Sequence, residues 1–253
     1  MDNNLNFKGG DPGAVKFGNF INYYSFNLPE NRVKLLPDHL WRKSLKTASH
    51  FVALDVGCNS GDLTQCLYEF LLDRCYGGTC HILGVDIDPA LVARARLSNA
   101  HRDNVLYECV DVTSDQDREE SLSKYLRNHG RTRFDIVFCF SVTMWIHLNR
   151  GDEGLTKFLT DICSQTEWLV VEPQPWKCYK EAERRLRRSG GGTFPLFPSL
   201  TMRGQVETDI DSILQQQCRF TKVLETTKTR WNRKLSFYRT NSVSEADMTQ
   251  QTQ

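Results

Sequence analysis

The stretch Phe51-Val52-Ala53-Leu54-Asp55-Val56-Gly57-Cys58-Asn59-Ser60-Gly61-Asp62 constrains the fold of this chain more than any other. An apolar run closes on an acid, two glycines follow, and a helical pattern begins at once, the signature of a buried parallel strand turning sharply into a helix. Gly57 and Gly61 admit backbone angles closed to other residues and leave the main chain uncovered, so a nucleotide-like ligand can lie against the turn. Asp55 stands where a carboxylate can meet a cationic or hydrogen-bond-donating part of it. Taken alone such a loop is a weak signal, because glycine pairs follow apolar runs by chance in many α/β chains.

A second unit strengthens it. His81-Ile82-Leu83-Gly84-Val85-Asp86 is another apolar run ending in an acid, one helix and two loops after the first. An acid at the tip of that neighbouring strand is placed to accept both hydroxyls of a ribose. Asp88-Pro89 then reads as a helix N-cap with proline at the first helical position, and Leu91, Val92, Ala95 and Leu97 supply the apolar stripe. The dinucleotide pattern Gly-x-Gly-x-x-Gly is absent, so nothing points to a diphosphate. The order acid-x-Gly-x-Asn-x-Gly, Asp55 to Gly61, resembles instead the first motif of the class I S-adenosylmethionine-dependent methyltransferases. In that family the loop faces the methionine part, the second acid holds the ribose, and an acid with an apolar neighbour after the next strand, here Asp111 and Val112 after Val105–Val110, meets the adenine.

The alternation of strands and helices continues through Phe134–Phe140 and Trp168–Val171, with helices expected near 63–72, 89–100, 119–128 and 153–164. Strands apolar on both faces imply a parallel sheet covered by helices. Arg219–Thr226 and Leu235–Arg239 look like two final strands joined by a polar loop, an antiparallel edge. The expected architecture is therefore α/β, a Rossmann-like, mostly parallel seven-stranded sheet with helices on both faces. It would be one domain over residues 16–240 with an N-terminal lid and an insertion around 176–205, flanked by a loose segment 1–15 and a polar, disordered tail 241–253.

With 253 residues, 40% of them hydrophobic and 25% charged, the chain has ordinary globular composition. A net charge of +1 leaves any nucleic-acid surface to be local. Nine cysteines without a Cys-x-x-Cys pair argue against structural zinc and against a secreted disulfide framework. No metal is expected. The sequence lacks a signal peptide's apolar core and any bilayer-length apolar run, so the expectation is a soluble protein of a reducing compartment, the cytoplasm or the nucleus.

Two segments exceed the needs of a generic fold. Phe138 to Asn149 runs from a strand into a bulky stretch containing Trp145 and His147, and Val171-Glu172-Pro173-Gln174-Pro175-Trp176-Lys177-Cys178-Tyr179 leaves another strand. Both begin at the carboxyl edge of the expected sheet, where open α/β sheets bind ligands. The helix that follows, Trp176–Arg188, sets six cations (Lys177, Lys180, Arg184, Arg185, Arg187, Arg188) against Glu181 and Glu183, a net +4. A solvated face explains such a run; aromatic stacking beside phosphate-binding cations at the end of a single nucleic-acid strand explains it too. The aromatic cluster Phe17, Phe20, Tyr23 and Tyr24, followed by Arg32, reads either as packing over the sheet or as a lid in which Arg32 neutralises a ligand carboxylate. His147 reads either as a general base or, as is commoner for a histidine in an apolar stretch, as a structural residue.

Together Phe17-Gly18-Asn19-Phe20 with Tyr23-Tyr24, the Asp55–Gly61 loop, Asp86-Ile87-Asp88, Trp145-Ile146-His147-Leu148-Asn149 with Gly151–Leu155, and Glu172-Pro173-Gln174-Pro175-Trp176 resemble the methylphosphate capping enzyme family, whose members methylate the 5′-phosphate of RNA. The match spans roughly residues 16–239. Within the family the chain is most similar to the branch acting on 5′-monophosphate ends of small RNAs such as a transfer RNA or microRNA precursors. Triphosphate-directed members carry a lysine before the Trp of the Trp-x-His-Leu-Asn run; here Met144 stands there.

The resemblance implies S-adenosylmethionine as methyl donor and S-adenosylhomocysteine as product. It assigns Asp55, Gly57, Asn59 and Gly61 to the amino-acid end of the donor, Arg32 to its carboxylate, Asp86 to the ribose, Asp111 and Val112 to the adenine, and Phe140 to the sulfonium region. Tyr23, His147, Trp176 and Lys177 are the expected catalytic neighbours of the RNA end, with Lys177, Tyr179, Arg184 and Arg185 binding RNA. No membrane and no obligatory protein partner are expected. The alternatives are a 5′-triphosphate capping methyltransferase, a methyltransferase for a small carboxylate or protein side chain, and an idle RNA-binding scaffold.

Overall fold

The computed structural model describes residues 14–38, 40, 50–75 and 77–241. The tail from Ser242 and nearly all of the 1–15 segment lie outside the described residues. Seven strands, β1 (His50–Val56), β2 (Thr79–Asp86), β3 (Val105–Cys109), β4 (Phe134–Phe140), β5 (Thr166–Glu172), β6 (Phe220–Glu225) and β7 (Ser236–Thr240), form one sheet in the order β3-β2-β1-β4-β5-β7-β6. The first five run parallel, and β7 inserts antiparallel between β5 and β6. This is the expected seven-stranded architecture, including its reversed edge.

The parallel strands are apolar on both faces because each face is roofed. Val52, Leu54, Leu83, Val85 and Val137 pack on one side with Leu122, Leu126, Leu155 and Leu159, while Phe51, Ala53, Ile82, Ile136 and Phe138 pack on the other with Leu63, Leu67, Leu71 and Val92. The order in which successive strands are added reverses between β1 and β4, the topological switch point at which open α/β sheets hold ligands beyond their carboxyl ends. Gly57, Asp86, Ser141 and Glu172 all stand at or just past those ends.

One helix differs from expectation. Instead of starting near Glu153 it runs from Thr143 to Ser164, interrupted at Gly151, whose φ of 73° and ψ of −174° are not helical. The turn from β4 is made in two residues through Ser141, a non-glycine at φ 58°, and nothing in the residue types between Phe140 and Thr143 announces so abrupt a turn. No helix among the described residues is long and apolar enough to cross a membrane.

Candidate active site

Segment 14–33 crosses the carboxyl edge of the sheet and is fastened there at several points. Asn59 Nδ2 donates to Phe20 O at 3.0 Å, Asn149 Nδ2 to Lys16 O at 2.7 Å, Arg94 to Ile21 O at 2.8 Å, and Asn19 Nδ2 to Asp88 Oδ2 at 2.8 Å. Gly18 lies so close to Trp145 that a Cβ would come within 2.3 Å of the indole. The Trp145–Asn149 run therefore seats this segment, the lid expected from the sequence: Trp145 receives Gly18 and Phe20, and Asn149 holds the backbone of Lys16.

Beneath the lid is a cavity of about 760 Å³. Gly57, Asn59 and Asp86 form one end, Phe140, Ser141 and Val142 the floor, Tyr23, Tyr24 and Arg32 the lid side, and Cys178, Glu181, Ala182 and Arg185 the far wall, with Arg233 reaching in from the β6–β7 connection. A narrow second space of about 70 Å³ shares Gly57, Asp86, Val142 and Trp145 with it and is lined by Ile87, Asp111 and Val112.

The loop after β1 is held by Asp86. One carboxylate oxygen accepts Asn59 N at 2.9 Å, the other Asp88 N at 3.0 Å, which leaves lone pairs on both for further donors. Burial lifts the Asp86 carboxyl to about 6 against the pull of these backbone N–H groups. Asp55 is likewise pushed up to about 6 by burial, opposed by the Thr64 hydroxyl that donates to it at 2.7 Å. Neither Asp55 nor Gly61 is part of the cavity wall. Asp55 ties the loop to the following helix from beneath, and Gly61, at φ 83°, clears Tyr107, whose hydroxyl a Cβ would approach to 2.6 Å.

Arg32 is the centre of the lid side. Fully buried, it donates to Glu172 Oε2 from Nε at 3.0 Å and Nη2 at 2.7 Å, and Nη2 also reaches the Tyr23 hydroxyl at 2.6 Å and Ser141 Oγ at 2.9 Å. Burial works against its charge, and Glu172 and the Tyr23 hydroxyl outweigh it, so its pKa is raised. The guanidinium lies 4.9 Å from the Trp231 ring centre, and Trp231 Nε1 donates to the second Glu172 oxygen at 2.6 Å. Arg233 Nη1 joins the same group by donating to Ser141 Oγ at 2.6 Å. Arg32 Nη1 and Arg233 Nε are buried without a hydrogen-bond partner among the described residues. Two unpaired guanidinium nitrogens beside a cavity fit an anionic ligand group.

The structure thus places Tyr23, Arg32, Gly57, Asn59, Asp86, Phe140 and Arg185 around the main cavity and Asp111 and Val112 around the smaller one. Asp111 is also committed to the Thr113 backbone N–H and hydroxyl and to Arg150, 2.7 Å away.

The remaining expected site residues lie outside the cavity walls. His147 is fully buried outside both cavities, between the Tyr179 hydroxyl at 3.1 Å and Asp152 Oδ1 at 2.6 Å, because Asp152 uses it together with Thr201 to hold the 197–202 segment. Burial lowers the imidazole's pKa despite Asp152. Of the two readings, these contacts fit the structural one. Tyr179, its partner, is buried too. Trp176 stacks on Phe197 at 5.2 Å and lies outside the cavity walls. Lys177 is 83% exposed, on the opposite side of its helix from the core, as is Arg184. Helical spacing explains this division: Cys178, Glu181, Ala182 and Arg185 share the cavity face, whereas Lys177, Lys180, Arg184 and Arg188 share the outer one.

Sequence reasoning missed Ser141, Glu172 and Arg233. Glu172 had a readable signal, an acid closing the apolar run Trp168–Val171, which on burial demands a cation. Arg233, in a polar connection, offered none.

Comparison with known proteins shows which family the chain resembles. The model of the Bicoid-interacting protein 3 (Bin3) family matches residues 134–241, and that of a methyltransferase domain matches residues 54–166. The chain is 43% identical to an RNA 5′-monophosphate methyltransferase of Bos taurus, over 93% of this chain and 84% of that protein. It is 42% identical to a pre-miRNA 5′-monophosphate methyltransferase of Xenopus laevis, over 90% and 94%. Among solved structures, the bifunctional kinase-methyltransferase WbdD superposes with a TM-score of 0.54 at 14% identity, covering 87% of this chain and 42% of WbdD, a likeness of fold alone.

Proposed function

We propose, from the premise that this chain belongs to the RNA 5′-monophosphate methyltransferase family, that its cavity binds S-adenosylmethionine against Gly57, Asn59 and Asp86 and the 5′-phosphate of RNA beside Arg185 and Arg233. The enzyme is a methyltransferase for RNA 5′-monophosphate ends. Microrna precursors are the proposed RNA class, supported by the names of the Xenopus laevis and Danio rerio relatives; transfer RNA rests on the sequence resemblance. The observation that carries this reading is the shared space: the Asp86 end and the guanidiniums of Arg185 and Arg233 line one cavity.

When bound, S-adenosylmethionine supplies an electrophilic methyl group on a sulfonium. Asp86 keeps lone pairs for the ribose hydroxyls, and Ile87, Val112 and Val142 offer an apolar slot for the adenine. The unpaired Nη1 of Arg32 fits the amino-acid carboxylate, and Tyr23 and Phe140 form the aromatic surroundings of the reacting centre. Arg185 and Arg233 hold the phosphate so that one oxygen faces the methyl group. A phosphate monoester is anionic at neutral pH, its second pKa being about 6, so the oxygen needs alignment and neutralisation rather than a base. That agrees with His147 lying outside the cavity. Such a displacement also needs no metal. Phe26, on the cavity rim and 83% exposed, offers a stacking surface for the first base.

Nine free thiols suit a reducing compartment, the cytoplasm or the nucleus. The test incubates the protein with methyl-labelled cofactor and one short RNA bearing a 5′-hydroxyl, monophosphate or triphosphate. Transfer to the monophosphate, much less to the triphosphate and none to the hydroxyl, is expected. Equal labelling of the hydroxyl-ended RNA would put the acceptor on a base or ribose and overturn the assignment.

A further inference from the structure

At the opposite edge of the sheet three histidines face one another. His50 opens β1 and pairs in register with Thr79, and His81 lies two residues further along β2, so His50, Thr79 and His81 share one face. His129 comes onto that face from the end of the helix Lys124–Asn128. The ring centres are 4.9 Å (His50–His81), 5.1 Å (His50–His129) and 4.6 Å (His81–His129) apart. One ring nitrogen from each lies within 4.8 Å of the other two, and all three rings are half-buried. The methyl-transfer cavity does not use them. It is at the far ends of the same strands, about 20 Å away at roughly 3.3 Å per residue.

We propose that His50, His81 and His129 bind a divalent transition-metal ion of the zinc class, with water completing a tetrahedral shell. Three imidazoles are a ligand set such ions favour, with zinc–nitrogen bonds of about 2.0–2.1 Å and an open fourth position. His50 Nε2 is already 3.1 Å from His129 Nδ1, close to the separation of two nitrogens on one tetrahedral ion. Its other nitrogen, Nδ1, is 2.7 Å from the Thr79 hydroxyl, the outer partner that fixes a metal-bound histidine's ring and tautomer.

The nearby cation, Arg131, is engaged by Asp135 and the His50 carbonyl. Because the three ligands are spread over 79 positions, they form no sequence motif. The ion would clamp the starts of β1 and β2 to the helix end that follows β3, and so act on stability, not on methyl transfer.

The test uses the full chain, purified without a histidine tag and stripped with chelator, then titrated with zinc or cobalt(II). One equivalent bound, with a rise in melting temperature that magnesium does not reproduce, is expected. X-ray absorption of the zinc-loaded wild type should show only nitrogen and oxygen neighbours. The double variant His81→Asn with His129→Asn should lose the stoichiometric site while metal-free methyl transfer stays within twofold of wild type. A shell containing sulfur, which would move the ion to the cysteines, overturns the proposal, as does a wild type that binds no equivalent. Should the double variant fold poorly, the wild-type absorption spectrum decides alone.

Discussion

Arg32 and Glu172, 140 residues apart in the chain, meet at the carboxyl end of β5 through two hydrogen bonds to a single carboxylate oxygen, with both side chains out of contact with solvent. This pair joins the lid to the sheet. It also turns one face of the guanidinium toward the cavity, because Nε and Nη2 are occupied by Glu172, Tyr23 and Ser141 while Nη1 stays unpaired.

Removing one partner should expose the cost of the other. In Glu172→Gln the buried charge of Arg32 loses its counterion, and breaking such pairs costs about 3–5 kcal/mol. Chemical denaturation should show that loss, and calorimetry should show weakened cofactor binding because the lid side is no longer fixed. Arg32→Lys should lose cofactor affinity with it, since an ammonium cannot serve Glu172, Tyr23 and an incoming carboxylate at once. Wild-type stability in Glu172→Gln would mean that the pair is not formed in solution.

Asp86 gives a pH dependence whose sign can be worked out. Its carboxyl, like that of Asp55, is raised from an ordinary 3.8 to about 6 in the folded state. The folded protein then binds more protons than the unfolded chain between about 4 and 6, so the stability these groups contribute is present below pH 3.8 and lost as pH rises through 6. Cofactor binding should run the other way, because ribose hydroxyls need an ionised acceptor. In the absence of RNA, affinity measured by calorimetry should fall as pH drops below about 6, and Asp86→Ala should bind at least tenfold more weakly with an unchanged circular dichroism spectrum. A flat wild-type profile would remove Asp86 from the ribose.

The sheet was legible because its strands carry a double signal, apolar runs closed by acids at Asp55 and Asp86, and because backbone-facing glycines mark the turn between β1 and its helix. Roles resting on long-range pairing were less so. The sequence places Trp145–Asn149 and Glu172–Trp176 at the right edge, yet which side chains point inward depends on the helix starting at Thr143 and on the strained turn at Ser141. His147 and Tyr179 satisfy each other, an arrangement no spacing reveals. The basic run in Trp176–Arg188 was correctly seen as local charge, but helix phase alone selects Arg185 for the cavity.

His147→Asn should act on stability more than on chemistry. The imidazole supports Asp152, which in turn accepts the Thr201 backbone N–H and hydroxyl. Leaving buried partners unsatisfied costs about 1–3 kcal/mol. A lowered melting temperature with kcat within about threefold of wild type, measured well below that temperature, is the expected result. A hundredfold fall in kcat in a stably folded variant would restore His147 to the reaction.

The last prediction separates the two faces of the basic helix. Arg185 lines the cavity, whereas Lys177 and Arg184 face outward. If the 5′-phosphate sits in the cavity, Arg185→Ala should lower kcat/KM for monophosphate-ended RNA by one to two orders of magnitude, since a charge-assisted contact contributes about 1.5–3 kcal/mol. A paired Lys177→Ala, Arg184→Ala variant should leave kcat nearly unchanged, raise KM, and flatten the dependence of RNA affinity on salt, because outward cations meet only the backbone downstream of the end. Cofactor affinity measured without RNA should be unaltered in both. An Arg185 variant that leaves kcat unchanged and only raises KM and flattens the salt slope, as the outer pair does, would show that the phosphate end is bound elsewhere in the cavity, leaving Arg233 as its cationic contact.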